Sequence, residues 1–279
     1  LQPEVKSLLE PVKAIAQKAG LAILDIYNSG EFELEQKDDD SPVTSADYAA
    51  NDILVAGLKA LNPHIPIISE ETTAVTLQLR KQWNRYWLLD PMDGTQEFVS
   101  RSGDFAVNVA LVENGWPVMG VIYWPTKDIF YYAIEGQGAF KQAKGKIKAI
   151  SVRDVSNEPE SIKLAVSRVQ KKDTVTRYLF DNHHYEMVPL GSASLKSCYI
   201  AEGKADCYLR VGPTGEWDTG ASHCIIEEAG GRILDSEFNG LSYNKRNTFS
   251  NPDFMVLGNQ NIDWHQVIKP HKTKRTLKD

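Results

Sequence analysis

Apolar residues recur at helical spacing over the first stretch of the chain: Val5, Leu8, Leu9, Val12, Ile15, Ala19, Ala22, Ile23 and Ile26. That period predicts a long surface helix over residues 5–26 with one face on a core. Ser41-Pro42-Val43-Thr44 reads as a turn or bridge. A second helix is predicted from about Ser45 to Leu61, with Asp47 in its first turn. Ile65-Pro66-Ile67-Ile68 is a short apolar strand that ends in Ser69-Glu70-Glu71, and Tyr86–Leu89 is the next clear strand. Phe105–Val112 alternates, and Asn114-Gly115 is a strong hairpin signal before Val118–Trp124. Ile129–Ile134 and Gly138–Lys141 continue an antiparallel set. The first half therefore reads as two helices on a mostly antiparallel sheet.

The second half alternates differently. Strands are predicted over Ile162–Val166, Tyr185–Pro189, Asp206–Val211, Arg232–Asp235 and Phe254–Gly258. Helices are predicted over Asp173–Asp181, Ser192–Glu202 and Trp217–Ala229, the last stopped by Gly230-Gly231. This is α/β organisation. Polar residues and Pro159 cluster near Ser156–Ser161, which divides the chain into an α+β unit (1–156) and an α/β unit (157–268). The basic stretch 269–279 lacks apolar periodicity and is expected to fray. At 279 residues, two packed units are the expectation over one.

Charge and composition exclude some functions. A net charge of −6 argues against a general nucleic-acid binder, whose footprint would be basic. It leaves a small anionic substrate open, because metals can reverse a local field. Cys198, Cys207 and Cys224 form no CxxC, which fits reduced core thiols. The six His show no HxxxH or HExxH spacing. No segment reaches the roughly 20 apolar residues of a membrane span. No cationic and apolar leader opens the chain, so the cytoplasm is the expected location.

Chemistry enters at Asp90-Pro91-Met92-Asp93-Gly94-Thr95, directly after the Tyr86–Leu89 strand. Two carboxylates share one tight turn, and Gly94 and Thr95 offer backbone N–H groups to an anion. Glu70 lies just past the end of a neighbouring strand, and Asp218 opens the Trp217–Ala229 helix. Alone, Asp218 reads first as a routine helix-dipole partner and only second as a ligand. Four carboxylates at one site repel, each pair by roughly 3 kcal/mol at ~5 Å and an effective dielectric near 20. Either their pKa values rise or cations neutralise them. Hard oxygen ligands without His or Cys favour Mg²⁺ over zinc, and two Mg²⁺ would balance the charge. Asp47 and Thr95 could relay a proton from a water, although spacing alone leaves them as a helix-start and a turn residue.

Taken together, Ser69-Glu70-Glu71, Asp90-Pro91-Met92-Asp93-Gly94-Thr95, Trp217-Asp218-Thr219-Gly220-Ala221 and Ala229-Gly230-Gly231 resemble the signatures of the inositol monophosphatase superfamily. Finer features resemble its bacterial 3′(2′),5′-bisphosphate nucleotidases of CysQ type. These are Lys37 to Asp47 with Asp39 and Ser41-Pro42-Val43-Thr44, Gly191-Ser192 with Leu195-Lys196-Ser197-Cys198, and Arg210-Val211-Gly212-Pro213-Thr214. The resemblance spans Val5 to Leu257.

The resemblance implies a layered α-β-α-β-α sandwich of two subdomains. It implies Mg²⁺-dependent removal of the 3′-phosphate of adenosine 3′,5′-bisphosphate, with two or three ions per site, giving AMP and phosphate. The sulfated form, 3′-phosphoadenylyl sulfate, is an implied second substrate. The implied role is clearance of a by-product of sulfate assimilation, and Li⁺ inhibition is expected. Peripheral association with the cytoplasmic face of the inner membrane is a property of such members, and nothing in the sequence shows it independently.

Residue by residue, Glu70, Asp90 and the Met92 carbonyl match first-metal ligands, and Asp90, Asp93 and Asp218 the second-metal set. Asp47 and Thr95 match the water-activating pair, and Gly94 and Thr95 the phosphate turn. Ser192, Lys196 and Arg210 match substrate-binding positions. Gln96 departs from the usual basic residue, and Ser167-Arg168-Val169-Gln170 lacks a frequent His, for which Arg168 is the available substitute. Inositol monophosphatase or fructose-1,6-bisphosphatase activity on the same fold is the alternative. A non-catalytic nucleotide sensor would be expected to lack a metal carboxylate, and all four are present.

Overall fold

Two sheets organise the chain in a computed structural model that describes residues 4–37, 42–72, 75–155, 159–168 and 173–274. Asp39, Ser41, Val169, Gln170, residues 156–158 of the expected boundary and residues 275–279 of the tail lie outside the described residues.

Helix α1 (Val5–Ser29) buries Leu8, Val12, Ala16, Ala19 and Ile23, a stripe that repeats about every fourth residue. Strands β1 (Leu34–Gln36) and β2 (Pro42–Thr44) form a small antiparallel ribbon that feeds α2 (Ser45–Leu61). Seven strands follow in order as one sheet: β3 (Ile67–Ser69), β4 (Arg85–Asp93), β5 (Ala106–Glu113), β6 (Trp116–Trp124), β7 (Ile129–Ile134), β8 (Ala139–Ala143) and β9 (Lys146–Ile150). Only β3 and β4 run parallel; the other pairs are antiparallel. Short helices α3 (Leu77–Arg80) and α4 (Thr95–Val99) flank β4.

The second sheet has the order β11 (Tyr185–Pro189), β10 (Ile162–Val166), β12 (Cys207–Arg210), β14 (Phe254–Leu257), β13 (Arg232–Asp235). Its first three strands are parallel and its last two antiparallel. Helix α5 (Asp173–Thr176) precedes β11, and α6 (Ala193–Ala201) and α7 (Trp217–Glu228) lie between the two sheets.

Three apolar layers result. One unites α1 and α2 with a face of the seven-stranded sheet. The second joins the other face of that sheet, α6, α7 and one face of the five-stranded sheet. The third covers the outer face of the small sheet with Val175, Leu179, Trp264 and Val267. The layering is α-β-α-β-α, as the motif resemblance implies.

Some local expectations fail. The helix predicted over Asp173–Asp181 stops at Thr176. The chain there turns to bond the C-terminal segment, Phe180 N–H to Val267 O at 3.0 Å and Lys269 N–H to Tyr178 O at 2.7 Å. That same pairing corrects the frayed tail for residues 269–274. His271 donates its N–H to Ser236 O at 3.0 Å and stacks on Tyr178, and Thr273 Oγ1 accepts from Asp253 N–H at 2.8 Å. Strand β9, absent from the sequence reading, is an exposed edge whose lysines blunt further pairing. The three cysteines are buried and unpaired. Among the described residues, no helix is long and apolar enough to cross a membrane.

Candidate active site

Strand β4 carries the centre of the site. Its register to β5 slips by one residue: Asp90 faces Asn108 and Asp93 faces Ala106, three steps on one strand against two on the other. Side chains alternate faces along a strand, so residues three apart would ordinarily point to opposite sides. The extra residue is a bulge, and it returns Asp93 to the face that Asp90 occupies. Pro91 is tolerated there because a bulge interrupts the ladder. The sequence reading took this stretch for a turn. It is a strand with a fault in it.

Asp218 reaches the same point from the first turn of α7. Carboxylate oxygens of Asp90, Asp93 and Asp218 all lie within 4.8 Å of one another. Asp93 is the best solvated by protein. Ser192 Oγ and Ser194 Oγ each donate to its Oδ2 at 2.5 Å, with Ser194 N–H at 2.7 Å and Ala193 N–H to Oδ1 at 3.2 Å. These donors open α6, whose N-terminus favours a carboxylate. Asp218 Oδ2 accepts from Gly215 N–H at 2.6 Å. Burial, then Asp93 and Glu70, raise the Asp218 carboxyl. Asp90 is fully buried, with Oδ1 accepting from Met92 N–H at 3.0 Å. Its Oδ2 has no partner. Burial, then Glu70, Asp93 and Asp218, push the Asp90 carboxyl well above its usual range. A buried carboxylate oxygen with no donor, facing two further carboxylates, fits a divalent cation held by oxygen ligands.

Glu70 follows β3 as Asp90 follows Leu89 on β4, with Glu70 N–H bonded to Leu89 O at 3.1 Å. It is not in the three-carboxylate group. Lys37 holds it instead, at 2.8 Å from Oε1, and also holds Glu71 at 2.7 Å. Burial opposes charge on Lys37, but the two glutamates keep its ammonium above the ordinary range. Burial pushes Glu71 up to about 7. The pairing role of Lys37 was not read from the sequence, where the lysine only opens the Lys37-to-Asp47 motif. Ser194 was missed as well, although a Ser-x-Ser at a helix start signals side-chain donors there.

Asp47 closes a capping box at the start of α2. Thr44 N–H and Thr44 Oγ1 both donate to its Oδ2 at 2.7 Å, and Ala46 N–H donates to Thr44 Oγ1 at 3.2 Å. The free oxygen, Oδ1, accepts from Thr95 Oγ1 at 3.0 Å. Burial pushes the Asp47 carboxyl up to about 6 against the pull of Thr44 and Thr95. The Met92 side chain is in the core, and its carbonyl is 3.3 Å from Thr95 Oγ1. Gly94 has φ 101°, and a Cβ there would lie 2.9 Å from Asp104 O. A glycine is therefore required before Thr95. Gln96 is exposed on α4.

The cationic candidates are already engaged. Buried Lys196 donates to Ser192 O at 2.6 Å and lies 4.9 Å from the centre of the Tyr208 ring. Burial lowers it to about 8. Arg210 donates to Pro213 O at 2.9 Å, and its Nε is buried without a partner. Arg168 pairs with Asp104 and lies 3.7 Å from Glu97, so it bridges the two sheets' subdomains rather than hanging free.

A profile of the inositol monophosphatase family matches residues 4–262. The chain is 44% identical over 250 residues to a Salmonella typhimurium protein named 3′(2′),5′-bisphosphate nucleotidase CysQ, covering 89% of this chain and 99% of that one. It is 40% identical over 261 residues to the protein of the same name from Aggregatibacter actinomycetemcomitans, covering 94% and 96%. The solved structure of CysQ from Bacteroides thetaiotaomicron superposes with a TM-score of 0.78 at 34% identity, over 92% of this chain and 98% of that one.

Proposed function

The chain belongs to the inositol monophosphatase family, and from that premise we propose that it is a divalent-metal-dependent 3′(2′),5′-bisphosphate nucleotidase. It removes the 3′-phosphate of adenosine 3′,5′-bisphosphate to give AMP and phosphate, and acts likewise on 3′-phosphoadenylyl sulfate. The cellular role is disposal of a nucleotide left by sulfate assimilation. The observation that carries the reading is the Asp90–Asp93–Asp218 cluster, within 4.8 Å, beside a Thr95 hydroxyl bonded to Asp47. The relatives' names supply the substrate.

Asp90, Asp93 and Asp218 would hold Mg²⁺, with Glu70 and the Met92 carbonyl as the further ligands for two or three ions. The donor set supports a hard cation: it is all oxygen, and Asp90 Oδ2 has no other partner. When bound, such ions polarise phosphoryl oxygens and lower the pKa of water. Lys37 holds only Glu70 Oε1, so Glu70 Oε2 would be the oxygen offered to them, with Glu71 sharing the ammonium.

The chain's own residues handle the proton. Thr95 donates to Asp47 Oδ1, which leaves a lone pair on Thr95 Oγ1 to accept a hydrogen from the attacking water. Asp47 receives the Thr95 proton in turn. Its pKa near 6 keeps it ionised at neutral pH yet basic enough to accept. Gly94 and Thr95 N–H groups orient the scissile phosphate, and Ser192, Lys196 and Arg210 receive the remaining nucleotide and its second phosphate.

Phosphate release from adenosine 3′,5′-bisphosphate, 3′-phosphoadenylyl sulfate, inositol phosphate and fructose bisphosphate, with and without Mg²⁺ and Li⁺, tests the reading. The nucleotides should be fastest, with turnover requiring Mg²⁺ and falling with Li⁺. Faster hydrolysis of a sugar or inositol ester overturns the substrate. Nucleotide binding without Mg²⁺-dependent turnover overturns the enzyme.

A further inference from the structure

Directly across the sheet from Asp90 stands Asn108, 1% exposed, with neither Oδ1 nor Nδ2 bonded to any group among the described residues. Both polar ends of a buried carboxamide are thus left open, a cost of roughly 1–3 kcal/mol for each group. Its neighbours on the same face of β5 are Ala106 and Ala110, so an apolar residue would suit the layer. Residues opposite one another in an antiparallel pair put Cβ atoms about 5 Å apart on one face. Asn108 therefore shares the Asp90 side of the sheet.

Helix α7 crosses that face. A Cβ on Gly220 would lie 2.8 Å from Leu88 Cδ2 and 3.2 Å from Ala110 Cβ, so the helix sits on the Leu88–Ala110 rung. Asp218, two residues earlier, lies toward the next rung, which is Asp90–Asn108. Asp90 Oδ2 is also without a partner. Three unbonded polar atoms thus belong to one rung, beneath the first turn of α7. No direct hydrogen bond joins them, and buried polar atoms of this kind are ordinarily satisfied by ordered water or an ion.

We propose that Asn108 is a positioning residue for the cation held by Asp90, Asp93 and Asp218. Its carboxamide holds an ordered water against Asp90 and so fixes the orientation of that ligand. This rests on the metal reading above. Outer partners of this kind typically contribute about 10- to 100-fold in metal affinity. The polar atoms of Asn108 are useful only when the ion is present; without it they are a burden on the fold.

The test is calorimetric titration of Mg²⁺ into wild type, Asn108→Ala and Asn108→Val, with thermal unfolding of each in chelator. Valine restores more of the lost volume and carries the test if the alanine variant does not fold. The expected result is an affinity about tenfold weaker or more, with the metal-free unfolding temperature of Asn108→Val unchanged or raised. Wild-type affinity in either folded variant overturns the inference. So does failure of both variants to fold, which would make the carboxamide structural. If wild type binds no Mg²⁺ at all, the metal reading itself falls; unaltered binding in the variants fells only the role of Asn108.

Discussion

Replacing Asp47 with Asn separates proton handling from binding. Thr44 N–H can only donate, and it holds Asp47 Oδ2 at 2.7 Å together with Thr44 Oγ1. The Asn carbonyl must take that position, because an NH₂ there would face a donor. Its NH₂ then faces Thr95 Oγ1 in place of Oδ1 and donates to it, reversing the bond observed at 3.0 Å. The Thr95 hydrogen turns to the Met92 carbonyl, 3.3 Å away, one of the two Thr95 Oγ1 lone pairs is occupied, and no carboxylate remains to receive its proton. The relay is lost while the capping bonds stay. General-base catalysis contributes about 10²–10⁴-fold, so kcat should fall by that factor, or ~3–5 kcal/mol of barrier. Mg²⁺ affinity and KM should hold. Stability moves the other way. Burial pushes the Asp47 carboxyl up to about 6, from an ordinary 3.8. The folded state therefore binds more protons in that window. The associated stability is full below pH 3.8 and lost as pH rises through 6. Two units correspond to roughly 3 kcal/mol at most. The Asn variant escapes that loss, so metal-free Asp47→Asn should be more stable than wild type at pH 8 and converge with it in acid. Phosphate-release kinetics and urea unfolding read both effects. A kcat within about threefold of wild type would refute the relay.

Two further perturbations probe the architecture and the substrate face. A Cβ on Gly120 would stand 2.1 Å from Ala221 O, so Gly120→Ala must push α7 and its Asp218 off the sheet. It should cost roughly 3 kcal/mol or more in urea unfolding and weaken Mg²⁺ binding in parallel; a cost under ~1 kcal/mol would show that α7 yields freely. For Lys196→Met, wild type carries a lysine lowered from 10.5 to about 8 by burial, so its contribution to stability is full above 10.5 and lost as pH falls through 8. The Met variant should lack that rise between pH 8 and 10.5 and show a higher KM for the bisphosphate, and an unchanged KM would remove Lys196 from the substrate face.

How much of this was legible in the sequence depends on whether local pattern or distant contact decides. Helix α2 was readable to its ends because Thr44 and Asp47 cap it locally and its apolar stripe is periodic. The end of β3 just before Glu70 was readable because its apolar run stops there, whereas β4 runs on past its apolar stretch to Asp93. The bulge was not, because nothing in Asp-Pro-Met-Asp separates a turn from a strand that slips its register. The shortened α5 was not readable either: its fate is set by hydrogen bonds to residues about ninety positions later. Lys37 and Glu70 illustrate the third case. Each is an ordinary surface residue type, and only the approach of the β1–β2 region to β3 makes a clamp of them.

The donors around the carboxylates also explain why the site lies on a seam. Asp93 belongs to the seven-stranded sheet, but all four of its hydrogen bonds come from Ser192, Ala193 and Ser194 at the start of α6. Asp218 comes from α7, which packs between the sheets, and its donor is Gly215. Neither half can satisfy the cluster alone, since an undocked Asp93 would lose every one of those bonds and an undocked Asp90 would face water instead of Asp218. Packing of the two sheets about α6 and α7 and assembly of the acidic cluster are therefore coupled. The repulsion thereby concentrated, about 3 kcal/mol per ionised pair at ~5 Å, favours protons on Asp90 and Asp218 and opposes the ionised cluster until a cation arrives. A divalent ion bound there would stabilise the junction between the sheets, by an amount that grows with the logarithm of its concentration above Kd.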